Sequence, residues 1–469
     1  MLRRLLGVVL VLVAVAVGAF AASSDPSEPA AAPTDATGVH LATPIWSVRR
    51  VPQPVLDAAG AQRLQSELTA TLSHAHACFV VSGDGTTLAS QSADAPLLPA
   101  STEKLLTGAA ALAVFGTDTT LVTRVMVAKE PVNGAVDRLY FVGGGDFLLG
   151  TPDYQAYLQQ DPQTRNTPVT PLGTLADAIV AKGVKRIPGG IVGDDSRYEQ
   201  LRYLPTWAPN YRTEGQVGPL SALTVNRGFS SFVPRRIWEE NPAQVAAEQL
   251  GVMLRERGVQ IGASPSVGKA PGNAIELAAI SSLPMQAVVT EMLRMSDNIG
   301  AELLAREIGV KVANEGTTAA GVRAINSELA KLGIPMAGVN LVDASGLSRE
   351  NRATCQAIAG ALALANRREF AALVDGLAVA GQSGTLADEF LGTPLAGHLR
   401  GKTGFLNGVT GLAGVIDGRS LHFAFIANDD ALSERGAIAL RAAVGDVIGR
   451  FPNLPAGVDI VPSPVAPAP

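Results

Sequence analysis

The chain has 469 residues, 47% hydrophobic and 17% charged, with a net charge of −5. That balance describes a globular protein of two or three domains and argues against a disordered chain. Without a basic stripe, nucleic acid is not an expected partner, and 5% aromatics is too few for a base- or sugar-stacking platform as the main function.

Arg3-Arg4, the apolar run Leu5 to Phe20 and the small-residue pattern Ala19-Phe20-Ala21 read as a secretory signal over residues 1–22. The run is also near the lower length limit for a membrane span, so residues 3–22 have an uncleaved anchor as the alternative reading. Either way the body is exported to the cell envelope, on the periplasmic or outer wall side. Residues 23–44, rich in Ala, Ser, Pro and Thr, read as a flexible linker. No later stretch is long and apolar enough to span a bilayer.

Ala77 to Ser82 reads as a strand, Gly83-Asp84-Gly85 as a hairpin turn and Thr86 to Ala89 as the return strand. An apolar run from Leu105 to Val114 with helical spacing follows Ser101. Helical patterns over Gln286 to Met295 and Ile299 to Gly309 flank Ser296-Asp297-Asn298. Val409 to Ile416 and Leu421 to Ala427 read as strands, and Leu432 to Arg450 as a helix. The N- and C-terminal strands are expected to share one antiparallel sheet in an α+β core formed by residues 45–125 and 285–451. Residues 126–284, rich in strand and turn signals, read as an inserted β-rich domain. Residues 452–469, rich in Pro and Ala, read as a disordered tail.

Cys78 and Cys355 either pair in an exported chain or stay as two buried thiols; the sequence leaves both open. His74 and His76 beside Cys78 read as a solvated face rather than zinc ligands, so neither a metal nor a cofactor is expected.

Three short motifs occur in order: Ser101-Thr-Glu-Lys104, Ser296-Asp-Asn298 and Lys402-Thr-Gly404. Ser101 at a helix start is a weak nucleophile until a base takes its proton. Lys104, three residues on, shares its helix face. Lys104 must be neutral to act as that base, and burial with Lys402 nearby would lower its pKa. Ser296 is a candidate proton relay and Asn298 a candidate amide clamp. Lys402 and Thr403 are candidates for binding a terminal carboxylate, and the backbone N–H groups of Phe405 and Ser101 for an oxyanion hole. Ser266-Val-Gly-Lys269 has the first motif's spacing but sits among Pro265, Gly268 and Pro271, where no helix starts.

The ordered triplet with a domain-sized insertion resembles the class C low-molecular-mass penicillin-binding proteins, D-alanyl-D-alanine carboxypeptidases and DD-endopeptidases of penicillin-binding protein 4 type. Phe141-Val-Gly-Gly-Gly-Asp146, Asp343-Ala-Ser-Gly-Leu-Ser-Arg349 and Ser383-Gly-Thr-Leu386 also resemble that family's segments, with Ala344 in place of its usual Gly. The resemblance implies a serine β-lactamase/transpeptidase-like catalytic domain, acyl transfer to Ser101, and peptidoglycan stem peptides and β-lactam antibiotics as partners. It also implies an acid from the insert that meets the stem-peptide side chain: Asp194, with Asp195 in reserve, joined by Arg349. A β-lactamase is the nearest alternative, but no Glu-x-x-Leu-Asn follows Asn298. A non-catalytic wall-binding scaffold is the other, and the intact Ser101 and Lys104 argue against it.

Overall fold

The structure, a computed structural model, describes residues 53–418 and 420–453. The expected signal, linker and all but the first two residues of the expected tail lie outside the described residues.

The main sheet has six antiparallel strands in the order Ala378–Val379, Leu399–Leu406, Val409–Ile416, Leu421–Asn428, His76–Gly83, Thr86–Gln91. The N- and C-terminal strands do meet, from His76 against Asn428 to Gly83 against Leu421. Alternation along one strand divides the core. Cys78 and Val80 point into a large helical layer, while Phe79 and Val81 point to the opposite face. The helical layer comprises Lys104–Phe115, Met285–Arg294, Asn298–Ala313, Thr318–Lys331 and Cys355–Ala363. On the other face lie Leu64, Leu68 and Leu72 from the N-terminal end and Val444, Val447 and Ile448 from the C-terminal helix Glu434–Gly449.

Cys78 and Cys355 form a disulfide that ties strand His76–Gly83 to the start of helix Cys355–Ala363, with the Cα atoms 5.9 Å apart. This settles the choice the sequence left open. The bond closes a loop between residues 277 apart in sequence, and loss of a native disulfide typically costs about 2–5 kcal/mol. Replacing both cysteines with alanine should therefore lower the unfolding free energy by about that much in chemical denaturation. An unchanged midpoint would show that the bond adds nothing.

The insertion has its own sheet, in the order Ser266–Val267, Ile191–Asp194, Leu139–Val142, Val122–Val127, Ile275–Ser281. Helices Leu172–Ala181 and Pro242–Glu256 cover it through Leu175, Ile179, Leu250 and Leu254. Its first and last strands pair antiparallel, Val122 against Ser281. The Ser282 N–H donates to the Leu121 carbonyl and the Leu121 N–H to the Ser282 hydroxyl, which closes the doorway. The inserted sheet thus begins at Val122 and ends at Ser281, rather than following the expected bounds of 126 and 284. Entry and exit lie side by side, so the host core need not open to admit the insertion. Ser266 lies on an exposed edge strand of this sheet, not on a helix.

Candidate active site

Ser101 lies in a 3₁₀ turn, Ala100–Glu103, that leads directly into helix Lys104–Phe115. Ala100 is buried at φ +46°, an uncommon conformation for a residue with a side chain. Gly346 supports that turn. A Cβ on Gly346 would lie 2.0 Å from the Ala100 carbonyl oxygen. One turn of helix brings the Lys104 amine 2.9 Å from the Ser101 hydroxyl.

The same amine donates to the Asn298 amide oxygen at 2.6 Å and to the Ser345 carbonyl at 2.5 Å. Asn298 begins a helix that Asp297 caps by accepting from the Gly300 N–H at 3.1 Å. Ser296 just before it is in the left-handed region at φ +55°, so the chain turns sharply between the two helices. The Ser296 hydroxyl accepts from the Lys402 amine at 2.8 Å, and Lys402 also donates to the Thr403 carbonyl at 2.9 Å. Thr403 shares a hydroxyl–hydroxyl hydrogen bond of 2.8 Å with Thr385. The three motifs therefore form two hydrogen-bonded groups, Ser101–Lys104–Asn298 on one side and Ser296–Lys402–Thr403 on the other, joined through the backbone of Ser296-Asp297-Asn298.

Both lysines are fully buried. Burial pushes the Lys104 amine down to about 8, against the carboxylates of Asp343, Glu103, Glu302 and Asp297, which pull it up. Burial, then the charges of Lys104 and Arg441, hold Lys402 well below the usual lysine range. The sequence reading gave burial and Lys402 as the causes for Lys104. Burial is the leading cause, but Lys402 is not among the others; it is Lys402 that feels the charge of Lys104.

Beneath the lysines lie three buried acids. Glu302 accepts from the Ala344 and Ser345 N–H groups, at 3.0 and 2.8 Å. Asp343 accepts from Gly346, Ser348, Asn351 and the Trp207 indole, all between 2.7 and 2.9 Å. Glu103 has no hydrogen-bond partner on either oxygen. Burial first, and then Asp343 and Glu302, hold Glu103 well above the usual carboxylate range. Burial and Asp343 likewise raise Glu302 to about 7.

A cavity of about 430 Å³ opens over Ser101, lined by Ser296, Asn298, Thr385, Thr403, Phe405 and Leu406 among others. Strand Leu399–Leu406 pairs along its whole length with Val409–Ile416. On its other side it pairs only at Arg400 and Gly401. From Lys402 to Leu406 that edge is therefore without a strand partner among the described residues, which suits the addition of an extended peptide. Gly404 lies against the nucleophile turn. A Cβ there would lie 2.8 Å from the Pro99 carbonyl oxygen.

A family model, that of the D-Ala-D-Ala carboxypeptidase 3 (S13) family, matches residues 62–234 and 232–445. The chain belongs to this family. It is 33% identical over 358 residues to a carboxypeptidase of Mycobacterium tuberculosis, covering 74% of each chain. It is 32% identical over 373 residues to the carboxypeptidase DacB of Mycolicibacterium smegmatis, covering 77% of each. The fold matches the crystal structure of penicillin-binding protein 4 from Haemophilus influenzae with a TM-score of 0.68, at 20% identity, over 82% of this chain and 99% of that one.

Two expected site residues of this S13 chain lie elsewhere. Asp194 ends a strand of the inserted sheet, buried, and its oxygens accept from the N–H groups of Ser196 and Ala270, at 2.9 and 2.7 Å. Asp195 is also buried and consumed, by Ser221, Gln200 and Arg202. Neither lines the cavity over Ser101. The acids are spent on local structure because their carboxylates satisfy backbone and arginine donors that burial would otherwise orphan. Arg349 reaches only the rim. It is exposed and donates to the carbonyl of Asn407, which lines the cavity.

Sequence reasoning missed Ser345, Glu302 and Gln216. Ser345 and Thr385 lay inside segments already singled out, but what they contribute are a carbonyl and a hydroxyl contact that no motif encodes. The Gln216 carbonyl accepts from the Asn298 amide at 2.7 Å and carries no sequence signal at all.

Proposed function

We propose that this protein cleaves the peptide bond before the last D-alanine of peptidoglycan stem peptides, or its cross-link counterpart, through an acyl-enzyme on Ser101. Neutral Lys104 takes the hydroxyl proton as the oxygen attacks the carbonyl. The oxyanion is met by the backbone N–H groups of Ser101 and Phe405. Ser296, held by Lys402, hands a proton to the leaving amine. Thr403 and Lys402 take the terminal carboxylate, and Asn298 clamps the amide. Water then cleaves the ester. β-Lactams enter the same cleft and acylate the same hydroxyl. The place of action in this proposal is the cell envelope; among the described residues no helix is long and apolar enough to cross a membrane.

The observation that carries this reading is the buried Lys104 amine, 2.9 Å from the Ser101 hydroxyl and lowered to about 8. Glu214 is the one glutamate lining the cavity among the described residues, and it accepts from Asn210 in the short helix Asn210–Thr213; Asp297, the other acid of the lining, is held by the Gly300 N–H and by Arg227. Glu103 and Glu302 are sealed behind Lys104. With both lining acids held by other partners, neither is left to activate water at the ester, so a β-lactam adduct should persist, which sets this reading apart from a β-lactamase.

A fluorescent penicillin should label the wild type once, on the peptide containing Ser101, and Ser101→Ala should abolish the label. A label on Ser266, or none on the wild type, would overturn the assignment.

A further inference from the structure

The cavity over Ser101 extends beyond the three motifs onto a shelf supplied by the insertion. Tyr154, Phe229, Arg236 and Trp238 line it together with Ser101. The shelf is built. The rings of Phe229 and Trp238 stack at 5.0 Å, and Tyr154 meets Phe232 edge-on at 5.3 Å. The Trp238 indole donates to the Arg227 carbonyl at 3.1 Å.

Two arginines of the shelf differ in what holds them. Arg227 is ion-paired to Asp297 at 2.8 Å and to Glu291 at 3.8 Å, so its charge is spent on the loop that carries Ser296 and Asn298. Arg236 is exposed, and among the described residues no carboxylate pairs with it. Its guanidinium carbon lies 5.9 Å from the ring centres of both Tyr157 and Phe229, and its Nε donates to the Tyr157 hydroxyl at 3.1 Å. That contact orients the group and leaves its two terminal nitrogens for a planar, two-point acceptor. The aromatic faces hold the side chain, so less rotamer freedom is lost when a ligand binds.

We infer that Arg236 is a specificity-determining residue that binds a second carboxylate of the peptide substrate, distinct from the terminal carboxylate assigned to Thr403 and Lys402. The inference rests on the Ser101 reading above, since it takes the cavity to be the peptide cleft. The carboxylate comes from either the acyl side or the leaving side of the cleaved bond, and the same chemistry serves both.

The test uses two pairs of D-Ala-D-Ala-type peptides. In one pair an acyl-side residue carries a carboxylate or its amide. In the other, a leaving-side residue does. Arg236→Gln should lower kcat/KM about ten- to a hundredfold on the carboxylate member of one pair. On its amide twin the loss should stay within about twofold, because no charge-assisted bond is lost there. Arg236→Lys keeps the charge without the fork and should fall between wild type and Arg236→Gln on the carboxylate peptide. The pair that responds identifies the side. Equal losses on carboxylate and amide twins, or no loss on any peptide, would overturn the proposal. Penicillin labelling of the wild type reports separately on Ser101, so failure of that reading would be seen by itself.

Discussion

Replacing Lys104 with methionine should slow acylation by penicillin about 10²- to 10⁴-fold while the protein still folds, the range expected when a positioned base is removed. Methionine keeps much of the volume in this fully buried site. It removes the donor to Ser101, Asn298 and Ser345 together. Lys104→Arg should lose activity on a similar scale, because guanidinium keeps its proton and cannot accept another. Near-normal acylation by either variant in folded form would remove Lys104 from the base role. The pH dependence follows from the same group. Its folded pKa of about 8 lies below the usual lysine value, and the reactive form is the neutral amine. The wild-type acylation rate should therefore rise with pH, about tenfold per unit well below 8, and level off above it. A profile that is flat or falling through that window would point to another base.

The second large effect concerns stability. Asp343→Ala should destabilise the fold by at least about 4 kcal/mol, since four buried donors lose their acceptor at about 1–3 kcal/mol each. Those donors are the N–H groups of Gly346 and Ser348, the Asn351 amide and the Trp207 indole. Asp343→Asn keeps one acceptor oxygen but sets an amide against two of the donors, so it should fall between wild type and alanine. Urea denaturation of the three proteins measures this directly. A cost below about 1 kcal/mol for the alanine variant would mean that the network relaxes to other partners. Trp207 belongs to the insertion and Asp343 to the catalytic core, so the same variant should also loosen the wall of the cavity formed by Tyr211, Gln216 and Val217.

Ser101, Lys104, Ser296, Asn298, Lys402 and Thr403 were legible in the sequence because each motif is local. A helical turn brings residues three apart onto one face, and a short link between two helices presents its own side chains. The hairpin at Asp84-Gly85 was legible for the same reason, with both residues at positive φ, +48° and +77°. The antiparallel sheet of terminal strands followed from the strand-like runs Ala77 to Ser82, Thr86 to Ala89, Val409 to Ile416 and Leu421 to Ala427 at the two ends of the chain.

What the sequence did not decide was set by contacts between distant segments. Whether Cys78 and Cys355 bond depends on two Cα atoms arriving 5.9 Å apart from opposite ends of the chain. Asp194 and Asn298 are both short polar residues beside turns. One spends its side chain on the N–H groups of Ser196 and Ala270, and the other faces the cavity. Nothing in their own neighbourhoods distinguishes them, because the donors that claim Asp194 come partly from a segment passing 76 residues later. The order of the reactive groups along the chain belongs to the sequence alone. The lowered pKa of Lys104, the raised pKa of Glu103 beneath it and an Arg236 without a carboxylate partner among the described residues belong to the tertiary structure. Burial and the field of neighbouring charges exist only once helix, strand and insertion have closed around them.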